Sequence, residues 1–453
     1  MRYGALRLPQ IKWGSRLFIL AFISLLYGPV IRVPFLFDDH QVIERNTDLL
    51  HWSWSTLARD FHPTPESPWG TAYYRPVESL SHRIDMTLWG MDPRGHHLTN
   101  LIFHVLTAWL VMEIGFLLGL KEIACVLSGI LFGAHPMIVS ELLMVSGRSE
   151  ILSFFFSLLA AILFCREKKL AILAGSLTFG AALLSKESAL ATPFFVILLL
   201  WTTGHTKKIL PRIGILAVIL GMYFLLRFHM VGQAGLEISS KMPQFLLTQF
   251  PLVLMRFVAL FIFPWPLYLY RQLPSPNLLL GLLTIGGGIA GYALWIRHKR
   301  WLAFGVLWFV AAWIPKIPLM ASGCFMLDHW AYPAIAGLIW PLAQALTLSP
   351  SGRSVLFSKR AQALLGTALL LLWSGSARLH IILRNSDEKN YRWSLRFTRA
   401  VPLYVNLGLI DLNAGRPAEA LSYIEPALRI FPDDPAIRAA YEAAQKACHS
   451  PKG

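Results

Sequence analysis

Apolar runs approaching twenty residues alternate with short polar stretches through most of the chain, and each run is near the length an α-helix needs to cross the hydrocarbon core of a bilayer. They fall at about 17–36, 98–119, 123–140, 151–165, 170–184, 189–203, 209–228, 278–296, 301–319, 331–347 and 361–377. This pattern predicts an all-α polytopic membrane protein with about eleven transmembrane helices. A further apolar segment, about 245–263, ends in Phe263-Pro264-Trp265-Pro266. Two prolines so close cannot continue a helix, so this segment is expected to be re-entrant or to lie at the outer surface.

Orientation follows from the basic residues. Arg2, Arg7, Lys12 and Arg16 precede the first run, which makes it a signal anchor with its N-terminal side in the cytoplasm. No small-residue cleavage site follows it, so removal as a signal peptide is not expected. The clusters Arg166-Lys168-Lys169, Lys207-Lys208, Arg297-Lys299-Arg300 and Arg353-Lys359-Arg360 are placed inside by the same rule. The chain must then cross an even number of times between Lys208 and Arg297, which again sets 245–263 apart. Eleven spans leave the C-terminus outside, together with three polar regions: about 35–96, about 229–276 and the tail after about 380. Trp52, Trp54, Trp69 and Trp89 punctuate the first of these and predict short surface-lying helices. The expected division is a membrane domain over 1–379 and a helical extracytoplasmic region over 380–453.

With 55% hydrophobic and 15% charged residues, the composition excludes an ordinary soluble protein. The net charge of +16 then points to anionic lipid headgroups and anionic lipid substrates, not to nucleic acid. Cys125, Cys165, Cys324 and Cys448 lack metal-type spacing, and so do His51, His62, His82, His96, His97 and His104. No metal, cofactor or disulfide framework is expected.

The candidate chemistry begins with Asp38 and Asp39, adjacent carboxylates where the first apolar run emerges into water. Charge at that boundary is costly. A carboxylate there can have its proton affinity tuned while meeting both a lipid-borne and a water-borne substrate. In the tail, Gly408, Gly415, Ala420, Ala427 and Pro432 have the spacing of a tetratricopeptide unit. One such unit cannot bury its own apolar face, so segments 385–400 and 434–447 are expected to pack on it.

An ordered set of motifs resembles a known family: Phe37-Asp38-Asp39-His40 with Asn46; Tyr74-Arg75-Pro76 with Trp89-Gly90; His97-Leu98-Thr99-Asn100; His135-Pro136 with Glu141; Gly147-Arg148-Ser149-Glu150; and Ser185-Lys186-Glu187. In this order, and with the repeat, they resemble the tetratricopeptide-bearing, polyprenyl-phosphate-sugar-dependent O-mannosyltransferases of the GT-C glycosyltransferase class. The resemblance implies a multi-span enzyme that transfers a hexose, mannose by this kinship, from a polyprenyl-phosphate carrier to an extracytoplasmic protein or glycan acceptor. It also implies that an acidic residue of the first outer loop is the base and that a single displacement inverts the anomeric centre. The small repeat region suits a bacterial inner membrane, with the active site and tail on the periplasmic side.

Such a reaction needs an acid group to activate the attacking hydroxyl and cations to hold the departing phosphate. Asp38 and Asp39 are the catalytic candidates. The bland alternative is a helix cap or a pair with Arg45 or Arg75. The cations are Arg75, Arg148 and Lys186, each with an acidic residue close in sequence, Glu78, Glu150 and Glu187 respectively, so ion pairing competes with phosphate binding. Glu141 and Glu187 complete the substrate-binding set; Glu141, beside His135-Pro136, suits sugar hydroxyls or an interhelical contact. A transporter or flippase is the competing class, but it would show midplane charge pairs and inverted repeats. A non-catalytic scaffold would leave the acidic pair without a purpose.

The orientation is directly measurable. Cysteines introduced at Ser67 and Ser422 should react with an impermeant thiol reagent from outside intact cells, and one at Ser351 should not. Labelling at Ser351 without labelling at Ser67 would reverse the topology.

Overall fold

A computed structural model describes residues 13–63, 67, 73–232, 239–294, 296–323, 325–348 and 358–449. Arg2, Arg7, Lys12, Trp69, Cys324, Ser351 and Arg353, used above, lie outside the described residues. The chain is helical nearly throughout. In order the α-helices are α1 Trp13–Tyr27, α2 Trp54–Phe61, α3 Pro76–Trp89, α4 Pro93–Leu117, α5 Glu122–Ala134, α6 Val139–Leu143, α7 Arg148–Phe164, α8 Lys169–Leu183, α9 Thr192–Thr202, α10 Ile209–Val231 and α11 Met242–Thr248. There follow α12 Phe250–Ile262, α13 Leu278–Leu294, α14 Arg300–Ala311, α15 Ile317–Gly323, α16 Tyr332–Ala345, α17 Lys359–Leu383, α18 Asp387–Ser394, α19 Val401–Asn413, α20 Pro417–Ile430 and α21 Pro435–His449. One short antiparallel pair joins β1, Arg271–Gln272, to β2, Phe325–Met326.

Each apolar run of the sequence coincides with helix, as an all-α membrane protein requires. Among the described residues, six helices are long and apolar enough to cross a bilayer, or up to eight if each of two bent pairs is one span. The larger number expected from the sequence is made up by shorter helices. At 15 residues, α8 extends only about 22 Å, below the roughly 30 Å of a hydrocarbon core. The segment set apart for its prolines is one of the bent pairs: α11 and α12 meet at 48°.

The run at 123–140, expected as one span, is the other. α5 stops before His135-Pro136, and the chain turns by 47° into a short buried hairpin over 136–147. Proline removes a backbone donor and forces the residue before it out of helical geometry, and His135 is accordingly extended at φ −67°, ψ 125°. The imidazole secures the break. Its Nδ1 accepts the Met137 N–H at 3.3 Å, and its Nε2 donates to the Phe261 carbonyl at 3.2 Å. The hairpin closes at Gly147, where a Cβ would meet the Glu141 carbonyl oxygen at 2.4 Å.

The membrane core gathers α4, α5, α7, α9, α14 and α16 around fully buried indoles. Trp308 stacks on Phe195 with centroids 3.7 Å apart. Trp308 and Trp340 each donate their ring N–H to a carbonyl of another segment, Pro333 and Val111, so burying these rings strands no donor. Outside the core, α2 and α3 form the expected surface helices, with Trp54 89% exposed. Arg83 of α3 holds the loop before α2 through the Asp60 carboxylate and the carbonyls of Asp48 and His51. In the C-terminal region α19 and α20 pack as a hairpin and α21 packs on both. The small residues lie where the repeat spacing needs them: Ala420 and Ala427 are fully buried, Gly408 leaves room for Ile424, and Gly415 turns at φ +70°.

The α14–α16 crossing depends on two glycines. A Cβ on Gly337 would lie 2.5 Å from the Gly305 carbonyl oxygen and 2.7 Å from the Phe309 nitrogen, backbone atoms that cannot swing aside. Gly337→Ala should therefore cost about 1–3 kcal/mol and lower the melting temperature in detergent. Gly286→Ala in α13, where a Cβ meets nothing within 4 Å, should be tolerated. Equal melting of the two variants would refute this account of the crossing.

Candidate active site

The two adjacent aspartates meet opposite fates. Asp39 is fully buried and accepts three backbone N–H bonds, from Leu36 at 3.0 Å, Val145 at 2.9 Å and Ser146 at 2.7 Å. These donors come from its own loop and from the turn before α7, so one carboxylate staples the first outer loop to the start of a membrane helix. Burial pushes its pKa up to about 6, against the pull of those N–H bonds, so it is largely ionised at neutral pH. Neither pairing foreseen for the aspartates, with Arg45 or Arg75, is the one Asp39 makes. Asp38 is half-buried, and among the described residues its side chain makes no hydrogen bond and no ion pair. Burial, then the Asp39 carboxylate, raises its pKa to about 7; Glu78 adds to this, while Arg75 and Lys186 oppose it.

The cations do not choose the acids beside them in sequence. Arg75 binds Glu187 through two N–H groups, at 3.0 and 3.2 Å, and reaches Glu78 only at 3.8 Å. Arg148 pairs with Asp85 at 2.5 Å, and Lys186 with Glu150 at 3.0 Å. The geometry of the backbone explains the difference. Residues two apart on a helix point in different directions, so Arg148 and Glu150 of α7 do not face each other, while Lys186 lies in extended backbone ahead of Glu187. Arg148 is fully buried and its donors are taken: besides Asp85 it bonds the Asn100 side chain at 2.7 Å and the His96 carbonyl at 2.8 Å. It braces α3, α4 and α7 together. Arg75 and Lys186 keep some exposure, 11% and 16% of their side chains, and both act on Asp38.

A third cation completes the cluster and was absent from the sequence reading. Lys316 is buried in the linker between α14 and α15; it bonds Glu150 at 3.0 Å and also donates to the Trp330 carbonyl. Its signal was a lysine flanked by Pro315 and Pro318 inside an apolar run. Glu141, carried inward by the broken span, has one carboxylate oxygen buried without a partner, as Glu78 has both. Burial raises the pKa of Glu78 to about 7, against Arg75 and Lys186. Asp328, given no role from sequence, is structural: it takes Arg271 through two bonds, at 2.6 and 2.8 Å, and the Tyr268 N–H at 2.9 Å. Among the described residues, no three His, Cys, Asp or Glu side chains are grouped to hold a metal ion.

The site thus holds a free carboxylate at a water-facing edge, two partly exposed cations beside it, and carboxyl groups with unused oxygens deeper in. That set can remove a proton from a hydroxyl and hold an anionic group.

The chain is 32% identical over 179 residues to protein O-mannosyl-transferase Tmtc1 of Drosophila melanogaster, which is 38% of this chain and 20% of that protein. It is 31% identical over 154 residues to human protein O-mannosyl-transferase TMTC3, covering 33% of this chain and 17% of the relative. With human TMTC2 the identity is 27% over 210 residues, covering 42% and 24%. The chain spans about a fifth of the length of the curated relatives it matches. No family model and no solved structure matches. The resemblance drawn from the sequence motifs is borne out to this extent: this integral membrane protein has the protein O-mannosyl-transferases of the TMTC type as curated homologues, at low identity and over about two fifths of its length.

Proposed function

We propose that the protein is a GT-C-type glycosyltransferase that moves a hexose, mannose by kinship, from a polyprenyl-phosphate carrier to a hydroxyl of an extracytoplasmic acceptor, a protein Ser or Thr. One observation carries the reading: a half-buried carboxylate, Asp38, left among the described residues without a side-chain hydrogen bond or ion pair, beside the cations Arg75 and Lys186. A base is most effective when its pKa lies near the working pH, and burial sets that of Asp38 at about 7.

In this mechanism Asp38 takes the acceptor hydroxyl proton as the oxygen attacks the anomeric carbon. The bond from that carbon to the phosphate oxygen breaks, its electrons leave with the phosphate, and inversion results. Arg75 and Lys186 hold the released charge. In the unliganded site these cations rest on Glu187 and Glu150, so the phosphate replaces protein carboxylates as their partner. Asp39 orients the loop, and Arg148 fixes the helices behind it. Glu141 and the released Glu187 are left to accept hydrogen bonds from the sugar hydroxyls. The membrane part, 1–379, contributes the base and the cations, in a bacterial inner membrane with the site on the periplasmic side.

Substituting each aspartate separates chemistry from support. Asp38→Asn should lower transfer by about 10²–10⁴-fold with melting unchanged. Asp39→Asn, which sets an amide against three buried N–H donors, should cost about 1–3 kcal/mol in stability. Because Asp38 must be ionised to act, wild-type activity should fall on an acid limb centred near pH 7. A fully active Asp38→Asn protein would eliminate Asp38 as the base.

A further inference from the structure

Helix α18 starts 350 residues after the acidic loop, yet its first residue grips that loop on both sides of Asp38. Asp387 Oδ1 accepts the Phe37 N–H at 2.9 Å, and Asp387 Oδ2 meets His40 Nε2 at 2.6 Å. The other ring nitrogen of His40 meets Glu44 at 2.5 Å. Hydrogen bonding to Asp387 raises the His40 pKa to about 9, with Glu44 adding to it, so His40 is protonated at neutral pH and the contact to Asp387 is an ion pair. Helix capping does not require the Asp387 carboxylate, because Ser386 already caps α18 by accepting the Lys389 N–H at 3.3 Å.

The loop cannot hold this shape unaided. Among the described residues, Phe37 at φ 54° and Tyr270 at φ 55° are the two non-glycine residues in the left-handed region, and their rings lie 6.2 Å apart beside Asp38. Such backbone persists only where the surroundings over-determine it, and strained positions of this kind gather at functional sites. The surroundings here are α18 and the residues after it. The Tyr391 ring packs on Phe37 at 6.2 Å. Trp393 donates to the Leu267 carbonyl at 2.8 Å, the Ser394 hydroxyl accepts the Leu269 N–H at 3.1 Å, and Thr398 donates to the Tyr270 carbonyl at 2.8 Å. Leu269, Tyr391, Leu403 and Leu407 form the apolar seam that holds the two parts together.

We propose that Asp387 is a positioning residue for Asp38 and that α18 is a strut of the catalytic site, so that the C-terminal region takes part in the chemistry besides any role in choosing the acceptor. The inference rests on Asp38 being the base. It departs from the division in which the membrane part alone would carry the reaction.

The test uses the full chain in detergent, with synthetic polyprenyl-phosphate mannose as donor and a Ser/Thr-containing peptide as acceptor. Asp387→Ala should lower kcat by roughly 10²-fold, the scale expected when a reacting group is misplaced by about 1 Å, with the donor KM little changed. As the loop loosens and water reaches Asp38, the acid limb should move down toward the ordinary carboxylate range. The groups facing Asp38 are Asp39, Glu78, Arg75, Lys186, Tyr270 and Tyr391; the substitution leaves all of them in place, and Tyr391 alone loses the neighbouring Asp387 charge. Asp387→Asn keeps an oxygen for the Phe37 N–H while losing the ion pair to His40, so it should lose less, and it carries the test if the alanine variant does not fold. Amide exchange over residues 33–44 gives a readout free of any substrate, and it should quicken in both variants. Unchanged exchange there, or an unshifted pH profile in a folded variant, would overturn the proposal. Asp38→Asn measured alongside keeps the two ideas apart: its full activity removes the base, whereas its inactivity with a normal Asp387→Ala enzyme removes only the strut.

Discussion

Three backbone N–H groups converging on the Asp39 carboxylate fix everything else in the site. Their donors come from a loop that follows α1 and from a turn that enters α7, segments more than a hundred residues apart. A buried carboxylate is costly unless its oxygens are satisfied, so the requirement that Asp39 be bonded is also a requirement that the broken hairpin over 136–147 be present. That hairpin exists because Pro136 interrupts α5. The proline, the His135 that seals the break and the Gly147 that closes the hairpin therefore act on the same loop as the aspartate, although none of them touches Asp38 in the described contacts.

Adjacent residues of identical chemistry take different roles because alternate side chains leave a turn in different directions. Asp39 points inward and is consumed by the backbone. Asp38 points to the edge and keeps its lone pairs. The same logic separates the basic residues. Arg148 faces the interior at the start of α7 and is saturated by Asp85, Asn100 and a carbonyl, while Arg75 and Lys186 stand at segment junctions with exposure left over.

Much of this was legible in the sequence. The apolar runs marked the helices, the paired prolines marked the end of α12 though not the bend that precedes it, and the motifs named Asp39, Arg75 and Lys186, which act on Asp38. Partners were not legible. Pairing by closeness in sequence gave Arg148 to Glu150, where the turn of α7 forbids it, and Lys186 to Glu187; Lys186 instead reaches Glu150 from another segment. The break at His135 was not legible inside the run at 123–140, since a single proline near a span terminus reads equally well as the end of the span. Lys316 was passed over because its flanks are apolar and its burial depends on a partner from α7. Nothing local in Ser386-Asp387-Glu388 distinguishes an ordinary helix start from a carboxylate reaching across the fold.

The charge balance of the cluster bears on how a phosphate can bind there. Asp38 feels the carboxyl groups of Asp39 and Glu78 against the cations Arg75 and Lys186, and Glu150, Glu187 and Lys316 are tied to those cations by ion pairs. With every carboxyl ionised the site would repel an anion. Burial corrects this in part by raising Asp38 and Glu78 to about 7, so that each is only partly charged at neutral pH. Arrival of a phosphate raises the proton affinity of both further, because a like charge disfavours ionisation. For Glu78 that protonation supplies an O–H donor from a carboxyl whose oxygens are otherwise unpartnered. For Asp38 as the proposed base it would oppose proton removal, and the opposition is smallest when Arg75 and Lys186 turn from their carboxylates to the phosphate. In the proposed reaction, a phosphate seated on both cations would therefore leave Asp38 closer to its resting, partly ionised state than one that is not.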